Sequence, residues 1–160
     1  MAYRILLVCT GNTCRSPMAG AILRDLLAER ARDGSSRFVV DTAGTRAEPD
    51  QPAHEDAVAV MQEQGLDLSG HRTQPLTQDM VAQADLILTM TKAHKEQVLR
   101  MHPRAAEKTF TLKEFAHDDR EGDIEDPVGR GRDVYRRTAQ ELRRALAAVV
   151  DKLHSDPFPG

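Results

Sequence analysis

Nine residues near the start of the chain, Cys9 to Pro17, read CTGNTCRSP and sit between two patterns that belong to different elements. Before them runs Ile5-Leu6-Leu7-Val8, a short aliphatic run that predicts a buried strand over Tyr3 to Cys9, ended by Gly11-Asn12. After them Met18, Ile22, Leu23, Leu26 and Leu27 recur at helical spacing. Ser16 is the expected N-cap and Pro17 the expected first helical residue. The helix should reach about Arg32 and break at Gly34-Ser35-Ser36, before a second short strand at Phe38-Val39-Val40. A strand, a helix and a second strand in this order form a β-α-β unit, which commits the chain to a parallel sheet.

The rest of the sequence repeats that alternation. A turn-rich loop from Ala43-Gly44 to Pro52 precedes a helix from His54 to Gln64 that turns Ala57, Val60 and Met61 inward and stops at Gly65. Thr77 opens a short helix through Val81. Asp85 to Met90 is the clearest central strand, Ala93 to Met101 a helix with Pro103 beyond it, and Thr109 to Leu112 a fourth strand. The polar, glycine-containing stretch His117 to Arg132 reads as a long loop. Asp133 to Leu153 is a final amphipathic helix with Val134, Leu142, Leu146, Val149 and Leu153 on one stripe. The expected fold is an α/β three-layer sandwich: a four-stranded parallel sheet with helices on both faces and a phosphate loop after the first strand. Its 160 residues suit one domain over 1–154, with 155–160 as a loose tail. The net charge of -3 argues against a nucleic-acid partner. No run is apolar enough to span a bilayer, and the start does not read as a signal peptide; a cytoplasmic monomer is expected. Cys9 and Cys14 are too few for a four-ligand zinc site, and His54, His94, His102, His117 and His154 fit no metal spacing and read as surface or cap residues. No metal and no cofactor is expected.

The chemistry lies in the nine residues. Ligands of parallel sheets collect at the carboxyl ends of the strands, where Cys9 falls. The loop then enters a helix N-terminus, whose free N–H groups and dipole attract an anion. Gly11 allows close backbone approach and Asn12 tolerates left-handed geometry, so successive N–H groups can point at one centre. Arg15 adds a planar fork matched to phosphate. The same field favours a thiolate at Cys9, and the Ser16 hydroxyl is placed to donate to it. A nucleophile and an anion cradle aimed at one tetrahedral group are the parts for phosphoryl transfer through a cysteinyl-phosphate. Taken singly, Cys9 reads as a small buried hydrophobe, Arg15 as a surface charge and Gly11-Asn12 as a turn. Together, at a strand–helix junction, they read as a site. A Walker A loop would end in Gly-Lys-Ser/Thr, which is absent.

This stretch resembles the phosphate loop of the low-molecular-weight protein tyrosine phosphatases, Cys, five residues, Arg, then Ser or Thr. The resemblance extends through Thr42-Ala43-Gly44, His71 in SGHRTQPLT, ADLILTMT from Ala84 to Thr91, and DIEDPVG followed by DVY, nearly the whole chain. Within the family the chain is most similar to the bacterial branch that includes protein arginine phosphatases, on CTGNTCRSPMA, Gln74 to Thr77 and TFTLKEF from Thr109 to Phe115.

The resemblance implies Cys9 as nucleophile, Arg15 as transition-state clamp and Asp126 as general acid. Thr10, Gly11, Asn12, Thr13, Cys14, Arg15 and Ser16 would form the phosphate-binding loop, with Asn12 held by a network of Thr42, His71 and Ser16. A carboxylic acid beside phosphate and thiolate charge holds its proton more readily, which suits it to protonate a leaving group, and Pro127 restricts the backbone next to it. Asp118, Asp119, Asp123 and Glu125 read as solvated loop acids, and the arginines at 130, 132, 136, 137, 143 and 144 as the solvated face of the last helix. Val128 stands where phosphotyrosine-directed members carry an aromatic residue, and Thr13 where they carry an aliphatic one. Both are specificity candidates: Thr13 favours phosphoarginine in protein substrates, while Val128 weakens the phosphotyrosine alternative and also departs from the aromatic that the resemblance to arginine phosphatases implies there. Cys9 and Cys14 are a candidate redox pair. An arsenate reductase on this fold would need cysteines after Cys14 to carry a disulfide outward, and there are none. A non-catalytic phosphate-binding or redox-sensing module would not need Asp126-Pro127.

Overall fold

The computed structural model describes residues 2–31, 36–116 and 122–155. The expected end of the first helix at Arg32, its break at Gly34-Ser35, His117, Asp118, Asp119 and the chain from 156 onward lie outside those residues. Four parallel strands, β1 (Tyr3–Cys9), β2 (Phe38–Gly44), β3 (Leu86–Thr89) and β4 (Thr109–Thr111), form one sheet in the order β2-β1-β3-β4. Around it lie α1 (Arg15–Arg30), α2 (Glu55–Glu63), α3 (Gln78–Gln83), α4 (Lys92–Met101), α5 (Leu112–Ala116) and α6 (Arg132–Ser155).

Strand alternation sorts the core into two layers. Ile5, Leu7 and Cys9 of β1, with Leu86 and Leu88 of β3, face the helices α1, α2, α5 and α6. Leu6 and Val8, with Ile87, face the other way, toward Val81 of α3 and Val98 of α4. Leu7, Val8, Ile87 and Leu88 are wholly buried, each worth about 1.5–3 kcal/mol relative to an exposed side chain. That continuous burial is why the central strands read as aliphatic runs rather than as alternating ones.

Most boundaries fall within a residue or two of those expected. Four differences are physical. α1 begins at Arg15, after Cys14, which makes no side-chain cap, so Ser16 is not the N-cap and Pro17 is the third helical residue, not the first. The first i→i−4 bond runs from Met18 N to Cys14 O, and Pro17 costs nothing because N–H groups in the first turn have no partner inside the helix. β2 runs on to Gly44, pairing register by register with β1 up to Cys9; Asp41 on its exposed side hid that extension. Leu112 leaves the sheet and opens α5. On α6 the buried stripe begins with Tyr135, wholly buried, whereas Val134 is only half-buried. The helix runs to Ser155, one residue into the expected tail.

Candidate active site

The strand β1 delivers Cys9 to the carboxyl edge of the sheet, and the chain must then reverse into α1 within a few residues. Asn12 makes that possible with φ 58, the left-handed region a short amide side chain tolerates. Its side chain is then spent on holding the loop. The Asn12 amide donates to Ser16 Oγ at 2.8 Å and to Thr42 Oγ1 at 2.9 Å, and its Oδ1 accepts from Gln74 N at 2.9 Å. The Asn12 carbonyl accepts from His71 Nε2 at 2.8 Å. Asn12 is wholly buried. His71 is biased to the neutral form chiefly by burial, with the Asn12 contact opposing. The expected network of Asn12, Thr42, His71 and Ser16 is thus assembled. Gln74 joins it through its backbone N–H and by donating from its side chain to Thr42 O at 2.8 Å, a role its polar type in a loop did not signal.

The sulfur of Cys9 receives the output of that network. Ser16 Oγ already accepts from Asn12, so its own proton is left for Cys9 Sγ at 2.9 Å. The Asn12 N–H points at the same sulfur from 3.3 Å. Using Ser16 here, rather than as a cap, explains why the helix start is uncapped: its N–H groups remain for an anion. The cradle needs room behind it, and Gly44 supplies it. A Cβ there would come within 2.9 Å of both Asn12 N and Ala47 Cβ and would collide with Thr10 O. Thr45 and Arg46 then tie the loop down, donating from their backbone N–H groups to Cys9 O and Thr10 O at 2.9 Å each.

Arg15 is buried and faces the late loop that carries Asp126. Its Nη1 donates to Ile124 O at 3.0 Å, and its Nη2 lies 3.8 Å from Asp126 Oδ2. Ile124, itself buried, is anchored to the end of β3 by its N–H to Met90 O at 2.9 Å. Asp126 keeps 56% of its side chain exposed and accepts from Val128 N at 3.1 Å. So Cys9, Arg15 and Asp126, drawn from the two ends of the chain, meet at one sheet edge. The neighbouring acids are occupied elsewhere: Asp123 accepts from Lys92 N, and Glu125 is held by Arg137 and Arg130, which keep its carboxyl below the usual range. Of the arginines of α6, Arg132, Arg137 and Arg144 are exposed, as expected, while Arg136 and Arg143 are partly buried; Arg132, Arg136 and Arg143 pair with Asp56, Glu63 and Asp25.

Thr13 holds its place through its carbonyl, which accepts from His54 N at 2.9 Å; the His54 ring stacks on Tyr135 with centroids 5.3 Å apart. Val128 is the large hydrophobic residue most open to solvent among the described residues, at 51%. Cys14 is a buried free thiol 3.2 Å from Tyr135 Oη, and burial pushes its pKa up. One residue departs outright from expectation. His94 is neither surface nor cap: it is 4% exposed, its Nε2 lies 2.7 Å from Thr10 Oγ1, and burial with the nearby Arg15 charge lowers its pKa to about 4. The signal was available, since His94 follows the end of the central strand by one helical turn, the same sheet edge where Cys9 stands.

A cysteine sulfur with two donors, a helix start with free N–H groups, a buried guanidinium and a carboxyl beside it can bind a tetrahedral oxyanion, attack its centre and protonate what leaves. The family model for low molecular weight phosphotyrosine protein phosphatase matches residues 4–157. The chain belongs to that family. It is 38% identical to the protein-arginine-phosphatase of Geobacillus stearothermophilus over 98% of this chain and 99% of that one. The low molecular weight protein-tyrosine-phosphatase Wzb of Escherichia coli is 33% identical, over 98% and 99%. A solved YwlE arginine phosphatase variant bearing a phosphorylated active-site serine superposes with a TM-score of 0.89 at 38% identity, covering 98% of this chain and 99% of that one. No helix among the described residues is long and apolar enough to cross a membrane.

Proposed function

We propose that this phosphatase hydrolyses phosphoarginine in proteins through a cysteinyl-phosphate on Cys9. The observation that carries the mechanism is the convergence on one edge of the sheet of the Cys9 sulfur, donated to by Ser16 and Asn12, with buried Arg15 and with Asp126 beside the Arg15 fork. The Cys9 thiolate attacks phosphorus; the S–P bond forms as the P–N bond breaks, and Asp126 gives its proton to the departing guanidine nitrogen. Loop N–H groups and Arg15 hold the phosphoryl oxygens throughout. Asp126, now a carboxylate, takes a proton from water that attacks phosphorus; the S–P bond breaks, and inorganic phosphate leaves with the thiolate restored. Under this reading Thr10 to Ser16 bind the phosphoryl group, while Thr13 and Val128 set the substrate stem. Cys14 is the partner for Cys9 under peroxide, and the enzyme acts as a monomer on phosphorylated proteins.

Two features favour phosphoarginine over phosphotyrosine. Thr13 offers a hydroxyl where a phenyl ring would gain from an aliphatic wall, and leaving guanidine N–H groups against such a wall costs on the order of 1–3 kcal/mol. The exposed Val128 gives an aromatic ring no stacking partner after Asp126-Pro127. The relative from Geobacillus stearothermophilus, named as an arginine phosphatase, also supports it. Catalytic efficiencies on phosphoarginine and phosphotyrosine peptides, measured for the parent and for Thr13→Ile, test the proposal. The parent should favour phosphoarginine, and the substitution should move the ratio toward phosphotyrosine. A parent that prefers phosphotyrosine returns the protein to the tyrosine-directed reading, and an unmoved ratio removes Thr13 as the selector.

A further inference from the structure

The phosphate loop is held from two sides of β1. Asn12 is fixed from the β2 side by Thr42, His71 and Gln74. Thr10, the residue directly after Cys9, is fixed on the β2 side only through its backbone carbonyl. Its side chain turns the other way, to His94 on the first turn of α4 at 2.7 Å. That helix is rooted at the end of β3: Met90 N donates to Val8 O, and Thr91 caps α4 by accepting from the His94 N–H. The imidazole therefore links the peptide after the nucleophile to the β3 side of the sheet.

The other ring nitrogen is a second, independent sign. Among the described residues, His94 Nδ1 is buried and has no hydrogen-bond partner. A buried polar atom without a partner is a cost that a leucine in the same space would not bear. Among the described residues the Nε2 contact to Thr10 is the only hydrogen bond the ring makes. Around it stand Arg15 of α1 and the carboxylates of Asp123 and Asp126 in the late loop, with which its charge state is coupled.

We infer that His94 is a positioning residue for the phosphate loop, its Nε2 holding the Thr10 hydroxyl so that the peptide after Cys9 keeps its aim at the transferring phosphoryl group. The inference rests on the phosphatase reading of the site. It predicts a hydrogen bond that acts on the chemical step, whereas a purely structural histidine would act on stability alone.

The test uses the full chain with an aryl phosphate substrate and inorganic vanadate. Parent turnover comes first: its absence overturns the phosphatase reading, and the vanadate arm then still addresses His94. H94L should lower kcat by roughly 5–30-fold, the factor that one to two kcal/mol commands, with KM little changed and measurements made well below each variant's Tm. H94Q, whose amide reaches the Nε2 position, should recover most of that loss. H94N, whose amide reaches only the Nδ1 position, should not. Vanadate affinity, read without turnover, should weaken in H94L and recover in H94Q. Thr10→Val should match H94L, Thr10→Ser should regain most of what Thr10→Val loses, and the double variant H94L with Thr10→Val should lose no more than either alone. If H94L fails to fold, H94Q and the two Thr10 variants carry the test. Unchanged kcat in Thr10→Val, rescue by H94N but not by H94Q, or additive losses in the double variant would each overturn the inference.

Discussion

The loop that carries Cys9 and the loop that carries Asp126 serve one site but are built in opposite ways. In the first, Asn12 and Ser16 are wholly buried, and their side chains are committed to partners around the sulfur. In the second, Asp126 is more than half exposed, and the pairs around it, partly exposed Glu125 with exposed Arg130 and Arg137, are at the surface. That loop is rooted before the acid, by Ile124 on Met90 and Arg15 and by Asp123 on the Lys92 N–H. The contrast follows from what each would do under the proposed mechanism. A cradle for developing negative charge works by being organised before the charge arrives, so its dipoles must not move. A proton donor must also exchange its proton with solvent and admit a leaving group, both of which an exposed carboxyl allows.

The sharpest way to break the comparison is to separate cradle from nucleophile. Cys9→Ser should abolish turnover, the largest effect expected, while phosphate and vanadate still bind, because the cradle is backbone and Arg15. Substantial turnover by that variant, measured on an aryl phosphate, would end the covalent mechanism.

Asp126→Asn should cost roughly 10²–10⁴ in rate, the usual span for a general acid. The loss should be greater on phosphoarginine than on an activated aryl phosphate, since an unprotonated guanidine is the poorer leaving group. Equal losses on the two substrates, compared by single-turnover kinetics, would remove Asp126 as the acid. Stability should change little, because the carboxyl is exposed.

Gly44→Ala probes the rigid side. The added methyl meets Asn12 N, Ala47 and Thr10 O, and overpacking of this kind costs about 1–3 kcal/mol. Urea unfolding should register that loss, and vanadate affinity should fall with it. A Gly44→Ala protein with unaltered stability and affinity would show that the cradle tolerates movement, contrary to the comparison.

The smallest effect belongs to the exposed loop. Glu125→Gln removes the partner of Arg130 and Arg137, an exposed pair of the class worth about 0–1 kcal/mol. Activity should change by no more than a few-fold, and the difference from the parent should vanish at high salt. A larger, salt-independent loss would mean that the acid loop is as tightly specified as the cradle.

How much of this was legible beforehand differs by residue. β1, the helix after it and the loop between them were readable because each is written in a contiguous stretch: an aliphatic run, a left-handed Asn, a helical period. The same locality misled at Ser16, where cap chemistry predicted one use for a hydroxyl and the sulfur of Cys9 claimed it instead. Val134 was placed on the stripe of α6 and Tyr135 was not, because the period shows a face but not its centre. His94 reads as surface or cap when only metal spacing is weighed; its place one turn after the central strand points to the site edge, but the groups that bury it come from segments far away in the chain.

From the sequence alone follow the parallel α/β architecture, the anion cradle at the end of β1 and, through resemblance, the residues around it. The first two are properties of spacing, and spacing is local; the third rests on the resemblance. What only the tertiary structure decided is which further distant groups close on the cradle: Gln74 at 62 positions from Asn12, His94 at 84 from Thr10, Ile124 at 109 from Arg15 and Tyr135 at 121 from Cys14. Those contacts depend on the strand order β2-β1-β3-β4, which brings the ends of β2 and β3 to either side of β1. A hydrogen bond is made within about 3 Å, and no periodicity in the chain specifies a position to that precision until the sheet has formed.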